Sequence, residues 1–233
     1  MIKIFLKIIK LFTVPGIGLF LILSMVALPS YVFSEELPAI GDIVQKLQSS
    51  YEKTKDLKAD FIQETTLKSL KKTEREQGKV FFKNPGNMSW NYTKPRGKRL
   101  VINRQSAWLY LPEEKAAYKR KADSLFQSKL LINFFTGAGK LNDDFIIRYA
   151  QPQSLDKEGN YLLFLTPREK TSACNLLKMK IDKTNFYILQ VSFDDALGNS
   201  TSLQFSHIDV NTGLTDKFFQ FRPPGGVEIF EVP

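Results

Sequence analysis

Apolar and polar positions alternate in short runs along most of this chain, and two stretches break that habit. From Pro38 to Lys55, the residues Ile40, Ile43, Val44, Leu47 and Tyr51 recur at helical spacing, with Gln45, Lys46, Gln48 and Glu52 between them. That spacing predicts an amphipathic helix with one buried face. The second stretch begins at Ser124, which makes a capping box with Gln127, and stops at Gly137. Between them lie Leu125, Phe126, Leu130, Leu131, Ile132, Phe134 and Phe135, interrupted by Gln127, Ser128, Lys129 and Asn133. An apolar stripe that wide must be covered on most sides, or must itself cover something apolar.

The remainder predicts strands. Leu57 to Leu70 alternates, and a charged connection follows (Lys71, Lys72, Glu74, Arg75, Glu76). Then come G-K-V-F-F-K-N-P-G-N-M-S-W-N-Y-T-K-P from Gly78 to Pro95, R-L-V-I-N, and S-A-W-L-Y-L-P. Such apolar runs, punctuated by Asn-Pro, Pro-Gly and Lys-Pro, mark an antiparallel meander. Within it Val80 and Phe82 share a face with Asn84, while Phe81 lies opposite with Lys79 and Lys83. Met88, Trp90 and Tyr92 also share a face, opposite Ser89 and Asn91, so half of this sheet surface reads as aromatic and half as wet. Lys115–Lys121 reads as a polar strand. Further strands are expected at Asp144–Ala150, Tyr161–Thr166, Cys174–Ile181, Phe186–Phe193, Thr201–Ile208 and Lys217–Phe221, with hairpin turns at Asp182–Asn185 and Gly198-Asn199. The sum is mainly β with some α: about eleven strands and two or three helices. A sheet that large must curl into a barrel or split in two. The aromatic face then either packs an ordinary core or walls a cavity. Pattern alone favours the core; the surplus apolar helix favours the cavity.

Composition narrows the chemistry. Nineteen phenylalanines against 4 methionines give the chain its aromatic character. The net charge is +9, and Lys3, Lys7 and Lys10 supply part of it with no acid among the first ten residues. The remaining excess is interspersed with acids, which argues for no nucleic acid partner and fits weakly with anionic lipid surfaces. A lone cysteine, Cys174, excludes an internal disulfide and a Cys-based metal site. A lone histidine, His207, would have to serve any Ser-His-Asp triad, and its alternating setting fits a strand surface. Asp143-Asp144 and Asp194-Asp195 fit turn and capping roles better than acid–base catalysis. No catalytic residue, metal site or cofactor is expected, and binding is the simpler reading. Residues 1–34 read as an export signal: three lysines, an uncharged run from Leu11 to Ser34, and Val32 and Ser34 placed for cleavage after Ser34. The length of that run also suits an uncleaved anchor. Residues 35–233 would form one exported domain.

The ordered set G-K-V-F-F-K-N-P, W-N-Y, L-V-I-N and A-W-L-Y resembles the LolA family of periplasmic lipoprotein carriers. Phe61-Ile62-Gln63, Leu165-Thr166-Pro167 and the close F-R-P-P-G-G-V-E-I from Phe221 to Ile229 extend the resemblance from about Ile40 to the C-terminus. The resemblance implies an incomplete, strongly curved antiparallel β-barrel covered by a helical lid, acting as a monomer in the periplasm. It would take lipoprotein acyl chains from an inner-membrane lipoprotein-releasing ABC transporter and pass them to an outer-membrane lipoprotein receptor. The cavity residues would be Phe61, Val80, Phe82, Met88, Trp90 and Tyr92, and the lid would include Phe126, Leu130, Leu131, Phe134 and Phe135. One position departs from the family, which usually carries an arginine before the proline at Pro85 and uses it to latch the lid. This chain has Asn84 there, short and neutral. Either the latch is weaker, or a group such as Arg96 substitutes, or the cargo differs. A LolA-like carrier or sensor of another lipid or glycolipid, and a hydrolase using His207, are the alternatives.

Overall fold

The computed structural model describes residues 36–122, 140–169 and 174–232. The account below concerns the unit Pro38–Pro233. The expected second helix, with Phe126, Leu130, Leu131, Phe134 and Phe135, lies outside the described residues, as do residues 1–34, expected to be an export signal.

Helix α1 spans Ile40–Lys53 and buries Ile43, Val44, Leu47 and Tyr51, the stripe its spacing predicts. Twelve strands follow among the described residues: β1 (Asp56–Leu67), β2 (Lys72–Lys83), β3 (Asn87–Lys94), β4 (Lys98–Ile102), β5 (Ser106–Leu111), β6 (Ala116–Lys121), β7 (Phe145–Tyr149), β8 (Tyr161–Pro167), β9 (Leu177–Ile181), β10 (Ile188–Asp194), β11 (Ser200–Val210) and β12 (Glu228–Glu231). A short helix, α2 (Leu141–Asp144), leads into β7, and a 3-10 turn covers Asp216–Phe219.

All twelve strands form one sheet in the order β12-β6-β5-β4-β3-β2-β1-β11-β10-β9-β8-β7. Its two end strands, β12 and β7, are not paired with each other, so the sheet is open. It is nevertheless strongly curved. Leu57, Phe61, Val80, Trp90 and Ile102 belong to the same hydrophobic core as Phe145, Leu163, Met179, Val191 and Phe205, contributed from the other half of the sheet. Bulges help to bend it. The register shifts between Lys58 and Asp60 against β11, between Gln77 and Gly78 against β3, and between Ile188 and Gln190 against β9. Helix α1 fills the concave side.

Several boundaries differ from expectation. The charged run Lys71–Glu76 is mostly strand, because β1 and β2 pair without interruption from Asp56↔Lys83 to Leu67↔Lys72. Beyond the core a hairpin needs no apolar face, and pairs such as Arg75–Glu64 (3.1 Å) suffice to decorate it. The strand expected at Lys217–Phe221 is a 3-10 turn followed by extended chain, which drives Phe219 (fully buried) into the convex surface of the sheet. β12 was not anticipated. It returns through the Pro-Gly run to lie parallel to β6, from Glu228↔Ala116 to Glu231↔Lys119. Asp143-Asp144 closes the short helix α2 and stands immediately before β7 begins at Phe145. The turns at Asp182–Asn185 and Gly198-Asn199 fall where expected, with the Asp182 and Asp195 carboxylates accepting from backbone N–H groups inside each turn.

Candidate functional site

The residues expected to wall a cavity come together on the concave face. Ala59↔Val80, Leu57↔Phe82 and Phe61↔Gly78 across β1–β2, then Val80↔Trp90, Phe82↔Met88 and Gly78↔Tyr92 across β2–β3, put them in one patch. Phe61 meets Trp90 edge-on at 4.8 Å and Tyr92 at 4.9 Å; Phe82 meets Trp90 at 6.0 Å. These edge-to-face contacts place ring edges against the negative faces of their neighbours. Phe61, Val80, Phe82, Met88 and Trp90 are buried, and Tyr92 is half-buried at the rim. Its hydroxyl donates to Gln63 Oε1 at 3.0 Å, and Lys98 Nζ sits 4.2 Å from its ring while pairing with Glu76 at 2.6 Å. Burial, then the Glu76 charge, pushes the Tyr92 phenol up to about 12. Tyr92 therefore marks where the apolar patch meets a polar rim.

Two further contributors were not singled out from sequence. Phe205 lies 6.2 Å from Trp90 and is buried; its alternation with Leu203 in S-L-Q-F-S-H was the available signal. Tyr51 closes the patch from α1. The void bordered by Tyr51, Leu57, Ala59, Phe82, Ile188, Phe205 and Ile208 holds about 10 Å³. That is room for roughly one water and far too little for an acyl chain. At this point the aromatic wall is packed against α1, not hollow.

The end of α1 is held by short polar contacts. Asn84 Nδ2 donates to the carbonyl oxygens of Thr54 at 2.7 Å and Tyr51 at 3.4 Å, and its backbone N–H donates to Lys55 O at 2.9 Å. Asn84 thus satisfies the helix-terminal carbonyl of Thr54 and adds a second, longer donor to that of Tyr51, which also accepts from Thr54 N–H at 3.1 Å. Ile188 N–H donates to the buried Tyr51 hydroxyl at 3.2 Å, and Thr54 Oγ1 lies 2.8 Å from the Tyr187 hydroxyl. Burial raises the Tyr51 phenol well above its ordinary value, so it stays neutral. Arg96 does not reach this end. It pairs with Glu113 at 3.6 Å, beyond the opposite end of β3.

The convex face over β2–β5 is not wet. Phe81, Ser89, Val101 and Trp108 align across these strands, and the C-terminal segment crosses them. Phe218 lies 4.7 Å from Phe81, and Phe221 lies 5.6 Å from Trp108 and 5.4 Å from Tyr110. The aromatic residues of the meander thus serve two surfaces. Asp56 ties down the start of this segment. Its carboxylate accepts from Thr212 N (2.7 Å), Thr212 Oγ1 (2.8 Å), Gly213 N (3.0 Å) and Leu214 N (3.3 Å). Burial works to raise its pKa, but these hydrogen bonds outweigh it and hold the group below the ordinary carboxylate range. His207, with its side chain 82% exposed, pairs with Asp60 at 2.9 Å on the outer surface, in the company of Lys79. No nucleophile stands among the polar neighbours that His207 is shown to contact.

Comparison with known proteins agrees with this architecture. The chain is 27% identical over 187 residues to an outer-membrane lipoprotein carrier protein of Methylococcus capsulatus, covering 80% of this chain and 86% of that one. It is 27% identical over 192 residues to the protein of the same description from Chromobacterium violaceum, covering 82% and 89%. A crystal structure of an uncharacterized conserved protein from Thermus thermophilus superposes with a TM-score of 0.55, covering 84% of this chain and 100% of that one at 14% identity, a likeness of fold. The family described as outer membrane lipoprotein carrier protein LolA matches residues 52–222, from the last turn of α1 to the convex-face segment. Over that span, with the open curved sheet and its concave aromatic patch, this chain belongs to the LolA family.

Proposed function

We propose that the mature protein, released by cleavage after Ser34, works in the periplasm as a carrier of lipoprotein acyl chains. On this reading it receives them from an inner-membrane ABC transporter and gives them up to an outer-membrane receptor. The observation that carries the proposal is the concave patch of Phe61, Val80, Phe82, Met88, Trp90 and Tyr92, covered by one amphipathic helix whose C-terminal end is held by hydrogen bonds to neighbouring loops and strands.

The energies are suited to exchange. Withdrawing a chain of ~16 carbons from water is worth on the order of 12 kcal/mol. Lifting α1 exposes Ile43, Val44, Leu47 and Tyr51, at about 1.5–3 kcal/mol each. Opening therefore offsets much of the binding energy, leaving a carrier that holds its cargo and can still release it. Residues Leu125–Phe135 would complete the cover, with Phe126, Leu130, Leu131, Phe134 and Phe135 facing the acyl chain. Asn84 would act as the gating position by holding the α1 terminus, in place of the arginine that latches the lid in relatives.

The direct test is to purify the mature protein from the periplasm and identify what accompanies it. A bound lipoprotein, or lipoprotein extracted from vesicles containing the transporter, is the expected result. Absence of both sinks the proposal, and protein-free lipid in their place favours a carrier of another lipid. Leu130→Glu is expected to abolish uptake while leaving the thermal transition of the barrel in place. Global unfolding of that variant would make the segment core and not lid.

A further inference from the structure

Two of the most exposed large apolar residues lie on adjoining turns at one end of the sheet. Leu70, in the β1–β2 turn, is 67% exposed, and Leu197, in the β10–β11 turn, is 81% exposed. Because β1 pairs with β11 as far as Thr66↔Ser200, the two turns emerge together. They also touch: Lys68 N–H donates to Asn199 Oδ1 at 3.1 Å, and the Lys68 side chain lies against Gly198. Exposed leucines scattered singly need no explanation, but two on joined turns make a small convex apolar tip.

We infer that these joined turns form a prong that inserts Leu70 and Leu197 into the surface of a lipid bilayer. A convex tip fits no rigid partner without a matching hollow, whereas a bilayer interface accepts it without shape complementarity. The surrounding charges agree with apolar insertion over electrostatic attraction. Lys68, Lys71 and Lys72 are matched in number by Glu74, Asp194 and Asp195. Those acids are engaged locally: Glu74 with Lys72 at 2.8 Å, Asp194 with Ser200 Oγ at 2.6 Å, and Asp195 with the N–H groups of Leu197 and Asn199. The lysine stems can lie along the apolar tip with their ammonium groups in the headgroup layer. From the tip, the concave face continues inward through Thr65↔Thr201 and Gln63↔Leu203 to Phe61↔Phe205 in the aromatic patch. The purpose, presenting the mouth of the carrier to the membrane that supplies or accepts an acyl chain, rests on the carrier reading; the contact itself does not.

Flotation of cargo-free mature protein with phosphatidylcholine vesicles and with phosphatidylethanolamine/phosphatidylglycerol vesicles tests the inference. Wild type is expected to float with both, and to do so at high salt as well as low. Leu70→Gln/Leu197→Gln should lower the bound fraction at least about tenfold with an unchanged thermal transition, while Leu155→Gln, at another exposed leucine, should not. Tryptophan fluorescence of Leu197→Trp should be quenched by brominated lipid beyond that of the parent. Failure of wild type to float, equal flotation of the double variant, salt-sensitive binding confined to anionic vesicles, or binding confined to membranes containing the transporter would each overturn it. Lipoprotein co-purifying with the double variant shows that carriage survives without the prong. Its absence from wild type defeats the carrier reading whatever the vesicles show.

Discussion

A methyl group added at Gly78 would overlap the carbonyl oxygen of Asn91 and come within 2.9 Å of Tyr92 Cα. Those neighbours are strand backbone beside the Gln77/Gly78 bulge, so neither can step aside without breaking the β2–β3 ladder. Gly78→Ala is therefore expected to destabilise the protein by about 2 kcal/mol or more, read as a fall in the denaturant midpoint. A midpoint within error of wild type would mean that the bulge relaxes freely. Asp56 makes a second, pH-dependent prediction. Its folded pKa is depressed, so its contribution is present above the unfolded carboxylate value of about 3.9 and is lost as pH falls through the folded value. Asp56→Ala should cost about 1–3 kcal/mol at neutral pH, and the gap between variant and wild type should close in acid. A gap independent of pH would place the effect in packing. None of this was legible in the sequence. Asp56 reads there as a polar residue at a helix–strand junction, and the donors that define its role lie more than 150 positions away.

Elements were more legible than their partners. The stripe of α1 and the alternation of β2, β3 and β8–β11 follow from side-chain direction, which a sequence displays directly. What it does not display is which face a distant segment will cover. Phe81, Trp108 and Tyr110 sit on the side that alternation marks as wet, and Phe218, Phe219 and Phe221 from the chain's end make that side dry. Asn84 illustrates the same limit. Its departure from the family pattern was visible, yet its hydrogen bonds run to α1, and the lid segment that an arginine at this position would be expected to latch lies outside the described residues. Removing them with Asn84→Ala should cost about 1 kcal/mol and speed amide exchange in the last turn of α1 ahead of the sheet. Asn84→Arg, by adding a charged donor at the same helix terminus, should slow exchange there and slow acyl-chain uptake. Exchange that rises uniformly across the sheet in Asn84→Ala would show the residue to be general scaffold.

In the whole molecule, stability and carriage draw on the same contacts with opposite sign. The four buried side chains of α1 hold the cargo-free core together, and the carrier reading requires them to be displaced when an acyl chain enters. A change that weakens this packing should lower stability and, because opening then costs less, tighten retention of cargo. Leu47 is the position to use: it is fully buried on the face of α1 that meets the core and touches none of the tethering hydrogen bonds described above. Leu47→Ala is expected to destabilise the cargo-free protein by about 2–5 kcal/mol, with a lower thermal midpoint. The same variant should hold an acylated lipopeptide more tightly than wild type and release it more slowly to acceptor vesicles. If α1 stays in place during binding, the midpoint falls but retention does not change. If retention falls as well, Leu47 belongs to the acyl-chain wall. Measuring both quantities on one variant thus separates a helix that moves from a helix that is scaffold, and decides whether the packing of α1 over the aromatic patch is what makes release possible.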